Sequence, residues 1–476
     1  MSNHLGLFLW LISGIFFFLS TLYYFLELIP AYIKHRKVYL NPKIITNQEL
    51  KELFEKNHLE FPRIKFQITT RGNEVLVVKR GIKSIYEVSR TNPLFKNHFE
   101  LLIVSDEYLE KEIFHQYLRE LGVEFPAEII IVPSDYKTKN NTYFKARSLQ
   151  YSIEYRKSKK MYIDKHPAYI FYFDAESTID EIEFRRILQT IIFYPNKRIF
   201  EGPIVYPHRY FESNLISRQM EASRPFNCHH CIQVMNYPPP LHLHGSNLLV
   251  DEKIIEEIGW DYGTIANKPL LAEDLIFGLI AYSKYGGEVF GWHGGRLLEQ
   301  PPLTIKSSVK ARIRWITGTW QALKLLGTRK EYKSLTRKKK MEIQFRIRLR
   351  IITHSLSFFA AFFVIFSGIM FLFPSLFAYL TIDPNLLSPS FRTFQFIVTR
   401  LVFIPGTLFW IFGIINGSSK NLEVIPNLRK STKILEQIKL LLITPFAGAI
   451  ESFSALYATT RWIIGKPHIS WTVTKK

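Results

Sequence analysis

An apolar run near the N-terminus constrains this chain more than any other feature. Leu5 to Leu26 is a nearly unbroken stretch of aliphatic and aromatic residues, long enough as a helix to cross a hydrocarbon core of ~30 Å. It lacks the charged start, shorter apolar core and small final residues of a cleaved signal peptide, so we predict a permanent anchor. Lys34, Arg36 and Lys37 follow directly, and the positive-inside tendency places the next several hundred residues in the cytosol.

Three more candidate spans follow the soluble part of the chain: Ile351–Leu372, Phe394–Ile415 and roughly Ile438–Tyr457. The last contains Pro445 and Glu451, and it either spans the bilayer, re-enters it or lies at its interface. A full crossing would place Lys475 and Lys476 outside, against the positive-inside tendency. Arg400 and Glu451 fall at membrane depth, where two charges either pair with each other or snorkel to the interface.

The formal charge of +21 is concentrated beside the apolar ends of the chain. A basic stretch between Arg329 and Arg350 immediately precedes a candidate span, which favours contact with anionic headgroups. Nucleic-acid binding is the competing interpretation, and the candidate spans argue against it. The two cysteines, Cys228 and Cys231, are too few for a disulfide framework and suit a reducing compartment.

The soluble middle alternates short apolar strands with helical stretches. The predicted strands are Phe66–Thr70, Glu100–Ser105, Glu128–Val132 and Tyr169–Phe173, and Leu76–Tyr86 is predicted to be helical. This alternation predicts an α/β domain with a mostly parallel sheet and helices on both faces. Ligands bind such sheets beyond the carboxyl ends of their strands, where Asp106 and Asp174 are expected.

Two acidic motifs are candidates for chemistry. Asp174 and Glu176 are spaced to share a divalent cation in a turn; oxygen ligands suit Mg²⁺ or Mn²⁺, which would neutralise a diphosphate. Alternatively, they cap the following helix. Glu273 and Asp274 open a predicted helix that ends at Gly286, where the helix dipole already favours acidic residues. Asp274 is equally a candidate general base for a substrate hydroxyl.

Two further motifs have open interpretations. Arg314 and Trp315 suit a phosphate contact and a sugar-stacking platform, or else belong to a basic amphipathic helix resting on the membrane; both can hold at once. Cys228-x-x-Cys231 is followed by His242-x-His244, a pattern that could bind zinc. A buried, reduced loop is the alternative that we favour, because no second well-spaced ligand pair is present.

Taken in order, these residues resemble glycosyltransferase family 2. The likeness is to its membrane-bound branch, which includes cellulose, chitin and hyaluronan synthases and the egghead-type β-1,4-mannosyltransferases. It covers about Phe61 to Trp320 and the flanking membrane helices. The segments Asp135–Thr138 and Phe144–Tyr151 are particularly similar to the egghead-type members. The resemblance implies a GT-A domain, whose Rossmann-like sheet is mostly parallel, flanked by transmembrane α-helices.

The resemblance also implies roles for individual residues. The residues implied to bind the nucleotide and the donor sugar are Thr70, Arg71, Glu74, Asp106, Lys145, Arg147 and Arg314. The metal-binding D-x-D motif falls on Asp174 and Glu176, and the catalytic base of the T-E-D motif falls on Asp274. Acceptor binding falls on Gly245, Ser246, Asn247, Glu273 and Trp315.

Three positions depart from the family pattern. Glu176 keeps the carboxylate of the D-x-D motif but shifts its reach, and Ala272 replaces the threonine of T-E-D. Ala311 replaces the glutamine of Q-x-x-R-W, a motif associated with processive synthesis. This last change favours limited transfer to a lipid-linked or glycolipid acceptor over polymerisation.

The implied function is an inverting, β-linking transfer from a UDP- or GDP-sugar to a membrane-associated glycolipid or glycan, with Mg²⁺ or Mn²⁺. A processive synthase that exports its product is the first alternative. A transporter or inactive protein is the second, which the few helices and the retained carboxylates disfavour. Membrane lipids are expected partners, nucleic acid is not, and the expected location is the plasma membrane or an endomembrane.

The predicted organisation is an anchor (1–33), a juxtamembrane linker (34–60), the GT-A domain (61–327), a basic interface segment (328–350), C-terminal transmembrane or interfacial helices (351–465) and a tail (466–476).

Overall fold

The computed structural model describes residues 5–40, 44–72, 74–161, 167–373, 375–376 and 388–467. The strands are β1 Arg63–Thr70, β2 Phe99–Ser105, β3 Ala127–Ile131, β4 Ala168–Asp174, β5 Ile199–Glu201, β6 Ile204–Val205, β7 Leu248–Asp251, β8 Thr264–Ile265, β9 Lys268–Pro269, β10 Phe290–Trp292 and β11 Leu297–Leu298. The helices are α1 Leu5–Leu40, α2 Asn47–Lys56, α3 Val75–Thr91, α4 Glu110–Leu121, α5 Phe144–Ser158, α6 Glu181–Phe193, α7 Leu215–Ala222, α8 Arg224–Asn227, α9 His229–Ile232, α10 Glu252–Ile258, α11 Glu273–Tyr285, α12 Ile305–Leu326, α13 Lys330–Lys333, α14 Arg337–Leu372, α15 Pro389–Val398, α16 Ile404–Glu423 and α17 Lys430–Ile463.

Seven strands form the main sheet, in the order β10-β5-β7-β4-β1-β2-β3. β1 pairs in parallel with β2 and β4, β2 with β3, and β5 with β10. Only β7 is antiparallel to its neighbours β4 and β5. The prediction of a mostly parallel α/β sheet is therefore confirmed, and the four strands predicted from the sequence are β1 to β4.

The central strand β1 is buried on both faces, with a different chemistry on each. Ile64, Phe66 and Ile68 lie in an apolar core that includes residues of α3, α4 and α6. The alternate residues are polar: the Lys65 ammonium lies 2.9 Å from the carboxylate of Glu252 on α10. Because side chains alternate across a strand, β1 contributes apolar residues to the core on one face of the sheet and paired polar residues to the other face.

The predicted juxtamembrane linker contains α2, which packs on the sheet domain. Thr46 and Glu49 form a reciprocal capping box at its start. Its Leu50 and Phe54 are buried in the same core as β1. This packing places α2 against the sheet domain rather than in an extended connection.

Among the described residues, four helices are long and apolar enough to cross a membrane: Phe8–Ile33, Arg337–Met370, Phe396–Glu423 and Lys430–Ile463. This matches the number of predicted spans. The basic stretch that begins at Arg337 and the span that follows form one continuous helix, α14. The last candidate is also one unbroken helix, α17, with Pro445 inside it. Lys475 and Lys476 lie outside the described residues.

The suggested ion pair between Arg400 and Glu451 is wrong. A carboxylate oxygen of Glu451 lies 3.3 Å from the guanidinium of Arg312 on α12. The Arg400 guanidinium instead lies 4.1 Å from the centre of the Phe396 ring. Arg312 is the partner because α12 packs against α17, whereas Arg400 follows α15.

Candidate active site

A cavity of about 440 Å³ opens at the carboxyl ends of β1 and β4. The elements that meet there are those two strand ends, the start of α5, the loop before β7, the start of α11 and the middle of α12. Twelve of the predicted site residues line it: Thr70, Arg71, Glu74, Lys145, Asp174, Glu176, Gly245, Ser246, Glu273, Asp274, Arg314 and Trp315. The fold thus brings together residues separated by more than two hundred positions in the sequence.

Lys145, near the start of α5, links two of the predicted motifs. Its ammonium group donates hydrogen bonds to the carboxylate of Asp174 and, over 2.9 Å, to the carbonyl oxygen of Gly245. Burial lowers the pKa of Lys145, but the carboxylates of Asp174, Glu273 and Asp274 outweigh this and raise it overall. The side chain therefore stays cationic at neutral pH, inside a cluster of acidic groups.

Two glycines allow the cavity walls to approach one another. A Cβ atom on Gly245 would lie 3.1 Å from a carboxylate oxygen of Asp274 and 3.3 Å from the Lys145 nitrogen. A Cβ atom on Gly318 of α12 would lie 2.7 Å from the side chain of Ala272, just before α11. A side chain at position 318 would force its neighbours to move, and one at position 245 would require Asp274 or Lys145 to shift slightly, so both glycines favour the present position of Asp274.

Asp274 is a half-buried carboxyl group in the first turn of α11. One of its oxygens accepts a hydrogen bond of 2.8 Å from the backbone NH of Leu275. Burial, followed by the neighbouring charge of Glu273, raises the pKa of Asp274 to about 7, against the opposing charges of Lys145 and Arg314. A carboxylate that titrates near neutral pH is suited to general base catalysis.

The two carboxylates that follow β4 do not cap the next helix. That helix, α6, is capped by Asp180, whose side chain accepts from the backbone NH of Glu183 over 2.9 Å. Asp174 and Glu176 instead both line the cavity. Their donor set of carboxylate oxygens fits a hard divalent cation such as Mg²⁺ or Mn²⁺.

Glu299 is a buried carboxylate of the cavity that the sequence reasoning missed. Ser177 and Ser246 donate hydrogen bonds to one of its oxygens over 2.9 and 2.6 Å. Burial, together with the charge of Asp174, raises the pKa of Glu299 to about 7. Glu299 follows strand β11 just as Asp174 ends β4, but a strand of two residues gives no readable periodicity.

Trp315 lies between two guanidinium groups. Arg224 and Arg312 lie 4.8 and 5.2 Å from the centre of its ring. Arg312 is itself buried and forms an ion pair of 2.7 Å with Glu221 on α7. These contacts hold the indole at the cavity wall through cation–π interactions.

Three predicted site residues lie outside the cavity lining: Asp106, Arg147 and Asn247. Asp106 accepts a hydrogen bond of 3.0 Å from Ser148, and Arg147 lies 3.5 Å from it. The Asn247 side-chain amide donates to the carbonyl oxygens of Pro203 and Gly295 over 2.7 and 2.9 Å. In these contacts Asn247 fixes the chain that leads into β7.

The fold and this cavity define an α/β domain of the GT-A class, with its site at the carboxyl ends of parallel strands and candidate membrane helices on either side. The family model of glycosyl transferase family group 2 matches residues 169–414, just over half of the chain. The chain therefore belongs to that family.

Curated relatives include the β-1,4-mannosyltransferase egh of Drosophila melanogaster, which is 24% identical over 267 residues, 54% of this chain and 52% of that protein. The β-1,4-mannosyltransferase bre-3 of Caenorhabditis elegans is 25% identical over 274 residues, again 54% of this chain and 52% of that protein. The chain spans about half the length of the curated relatives it matches.

Two solved structures are similar over most of the chain. One is the mannosyltransferase PcManGT of Pyrobaculum calidifontis in complex with GDP-Man and Mn²⁺, with a TM-score of 0.45, 12% identity and coverage of 86% of this chain and 99% of that one. The other is TarS 1–349 of S. aureus, with a TM-score of 0.35, 8% identity and coverage of 84% and 92% respectively.

Proposed function

We propose that this protein is an inverting glycosyltransferase that moves a sugar from a nucleotide-diphosphate sugar to a membrane-borne acceptor. The observation that carries this proposal is the position of Asp274, whose pKa is raised to about 7, in one cavity with Asp174, Glu176 and Lys145. A base near neutral pH beside a charge-rich diphosphate site is what transfer to a hydroxyl group requires.

The donor's diphosphate is placed at the acidic and basic groups beyond β4. Asp174 and Glu176 would hold a divalent cation, which neutralises charge on the leaving diphosphate when bound. Lys145 and Arg314 add fixed positive charge at the same place, and Thr70, Arg71, Glu74, Asp106 and Arg147 are placed towards the nucleotide. Since relatives are β-1,4-mannosyltransferases, GDP-mannose is the first donor to test.

The transfer itself is a single displacement. Asp274 takes the proton of the acceptor hydroxyl as its oxygen forms a bond to the anomeric carbon, and the bond from that carbon to the nucleotide diphosphate breaks on the opposite face. An α-linked donor then gives a β-linked product. Gly245, Ser246, Glu273 and Trp315 are placed towards the acceptor, with the Trp315 ring as a stacking surface. Asn247 supports the loop that carries Gly245 and Ser246 through its bonds to Pro203 and Gly295.

The acceptor is placed in the membrane because the cavity wall includes residues of the membrane helices. Tyr24 of α1 and His354 of α14 both line it, and their side chains lie 3.3 Å apart. A lipid-borne acceptor could therefore enter beside these helices. The basic residues Lys34, Arg36 and Lys37 after the first apolar run support a cytosolic catalytic domain, for which we propose the plasma membrane or an endomembrane as the location.

Processive synthesis is the alternative within the same chemistry. Ala311 stands where the processive motif has glutamine, and it lines the cavity. Product length measured by mass spectrometry separates the two: a single added sugar supports limited transfer, and a ladder of products supports a polymerase.

The decisive test is turnover by Asp274→Asn in purified, detergent-solubilised enzyme. We expect kcat to fall by roughly 10²–10⁴-fold, because the amide cannot take the proton, with donor binding retained. Asp180→Asn is the matched control: it keeps a good helix cap away from the cavity and should leave kcat within about twofold. Activity of Asp274→Asn close to that of the control would overturn the assignment of the base.

A further inference from the structure

A second cluster of ligating side chains lies behind the loop formed by residues 242–247. It consists of Glu201 at the end of β5, Cys231 on α9, and His242 and His244 on the loop itself. The four donor atoms all lie within 4.8 Å of one another. Glu201, Cys231 and His244 are each at most 5% exposed, and the two histidines line one wall of the active-site cavity.

The donor atoms face one another in two close pairs. The sulfur of Cys231 lies 2.9 Å from Nε2 of His242. Nδ1 of His244 lies 3.3 Å from Oε1 of Glu201. In a tetrahedral zinc site with bonds of ~2.0–2.3 Å, neighbouring ligand atoms are roughly 3.3–3.8 Å apart. The cluster therefore needs only small shifts to reach that geometry.

His244 directs a ring nitrogen at Glu201. Its Nδ1 atom is buried, forms no hydrogen bond among the described residues and lies 3.3 Å from Oε1 of Glu201. The same carboxyl oxygen accepts a hydrogen bond of 2.6 Å from the backbone NH of His244. Two potential ligand atoms from different elements therefore face each other, an arrangement that one cation bound between them would satisfy.

In the absence of metal, Arg350 of α14 determines which ring nitrogen of His242 carries the proton. Its guanidinium donates to Nδ1 of His242 over 2.6 Å, so the ring proton lies on Nε2 and points towards Cys231. A metal ion at Nε2 takes the place of this proton. Arg350 must then turn from Nδ1 into the adjoining cavity, because a metal-bound imidazole carries its proton there.

We propose that Glu201, Cys231, His242 and His244 bind one zinc ion, at a structural site separate from the carboxylate pair of the active site. One thiolate, two imidazoles and one carboxylate are ligands that select zinc over Mg²⁺ or Mn²⁺. The two negative ligands balance the dication, which is favourable in a buried site. The ion fixes the loop whose Gly245 carbonyl and Ser246 hydroxyl reach the active-site cavity.

The ligand set differs from the one that the C-x-x-C motif indicates. Cys228 is also buried, and it packs with Cys231, Ile232 and Trp292 and is hydrogen-bonded to the Cys231 thiol, but it lies outside the four-residue cluster. Glu201 takes the place of a second cysteine, from a strand about thirty residues earlier. Cys228 therefore provides a matched control for Cys231: the two are the same residue type on adjacent turns, with one inside the cluster.

The test measures metal content and the spectrum of bound cobalt in the full-length protein in detergent. After purification with zinc and gel filtration, wild type and Cys228→Ser should contain about one zinc per chain, whereas Cys231→Ser and His244→Gln should contain almost none. Co²⁺ added to metal-free wild type should give the intense near-ultraviolet thiolate charge-transfer band and tetrahedral visible bands. Cys228→Ser should give both, and Cys231→Ser should lose the thiolate band.

The outcomes are separable even where a variant folds poorly, because the cobalt titration of wild type needs no substitution. Wild type that binds no zinc and shows no thiolate band overturns the proposal. Equal loss of metal in Cys228→Ser and Cys231→Ser also overturns it, because the C-x-x-C pair would then be the ligand. None of these measurements depends on the sugar or on turnover, so failure of the proposed transferase activity leaves them unaffected.

Discussion

The charge on Asp274 depends first on its burial and then on Glu273. The two carboxyl groups are adjacent at the start of α11, and the charge of Glu273 opposes ionisation of Asp274. Lys145 and Arg314 act in the opposite direction. Because a base works only when ionised, these neighbours set the pH at which transfer begins, rather than its maximal rate.

We therefore expect kcat/KM of the wild type to rise as pH increases through about 7, and the rise in Glu273→Gln to occur at lower pH. Removing the neighbouring negative charge lowers the pKa of Asp274, so more of it is ionised in mildly acidic buffer. The measurement is kcat/KM between pH 5 and 9 at fixed ionic strength. Glu120→Gln, an exposed site on α4, should leave the profile unchanged.

A change of rate alone in Glu273→Gln would not support this account, since Glu273 is also placed towards the acceptor. The informative quantity is the position of the acid limb. An acid limb that stays in place or moves to higher pH contradicts the coupling between the two carboxylates.

At the residue scale, the carboxylates Asp174 and Asp274 could be predicted from the sequence, whereas other charged residues of the cavity could not. Asp174 and Asp274 were found because each adjoins a long, periodic element. Glu299 was missed because β11 has two residues, and Arg224 because α8 has four. Short elements are defined by tertiary contacts, which no local pattern encodes.

At the scale of elements, α17 has a feature that its hydropathy does not reveal. It contacts α7 and α12 along much of its length, and it also packs along α14, a candidate membrane span. The polar contacts, in chain order, are Glu436 with Arg218 (2.8 Å), Thr444 with Gln219 (3.2 Å), Glu451 with Arg312 (3.3 Å) and Thr459 with Trp320 (3.3 Å). Its other face exposes Leu442, Phe446 and Phe453. A helix that is polar towards the domain and apolar outwards suits the plane of the membrane interface.

We predict that α17 lies along the interface, so that its C-terminal end stays on the same side of the membrane as the catalytic domain. A cysteine at Lys466 should then react with a membrane-impermeant maleimide in the same oriented vesicles as a cysteine at Lys139, an exposed position of the domain. The native cysteines are buried and provide a low background. Labelling of Lys466→Cys only from the opposite side would show that the helix crosses.

The other three candidate spans agree with a single orientation of the domain. The Glu27 end of α1 meets Arg346 near the start of α14, 3.2 Å away. Glu423, at the end of α16, pairs with Arg296 of the sheet domain. The domain therefore faces the C-terminal part of α1, the start of α14 and the end of α16, as expected for three successive crossings of the membrane.

At the scale of the whole molecule, the predictable part of the fold is the set of strands long enough to show a periodic pattern. β1 to β4 with their helices follow from periodicity, and all four are confirmed. The other half of the sheet pairs β4 with β7 in antiparallel register, Tyr172 opposite Leu248. Such pairings join short strands across long stretches of sequence, so the edge of the sheet could not be predicted locally.

The junction of domain and membrane leads to a prediction about the acceptor. Tyr24, Arg350, Ile351 and His354 bring two membrane helices into the wall of the catalytic cavity. An acceptor confined to the bilayer is held near this opening at high effective concentration, whereas the same glycan in solution must find it by diffusion. A lipid-linked acceptor should therefore have a KM lower by roughly 10²-fold or more than its lipid-free headgroup, with similar kcat.

The measurement compares the two acceptors in vesicles that contain the enzyme, with each concentration expressed per total volume. The KM for the nucleotide sugar serves as the internal control, because the donor binds on the strand side of the cavity and should be indifferent to the lipid. Equal acceptor KM values would show that the acceptor enters from the aqueous side. The membrane helices would then anchor the domain without guiding its substrate, and the contacts of Tyr24 and His354 at the cavity would be structural.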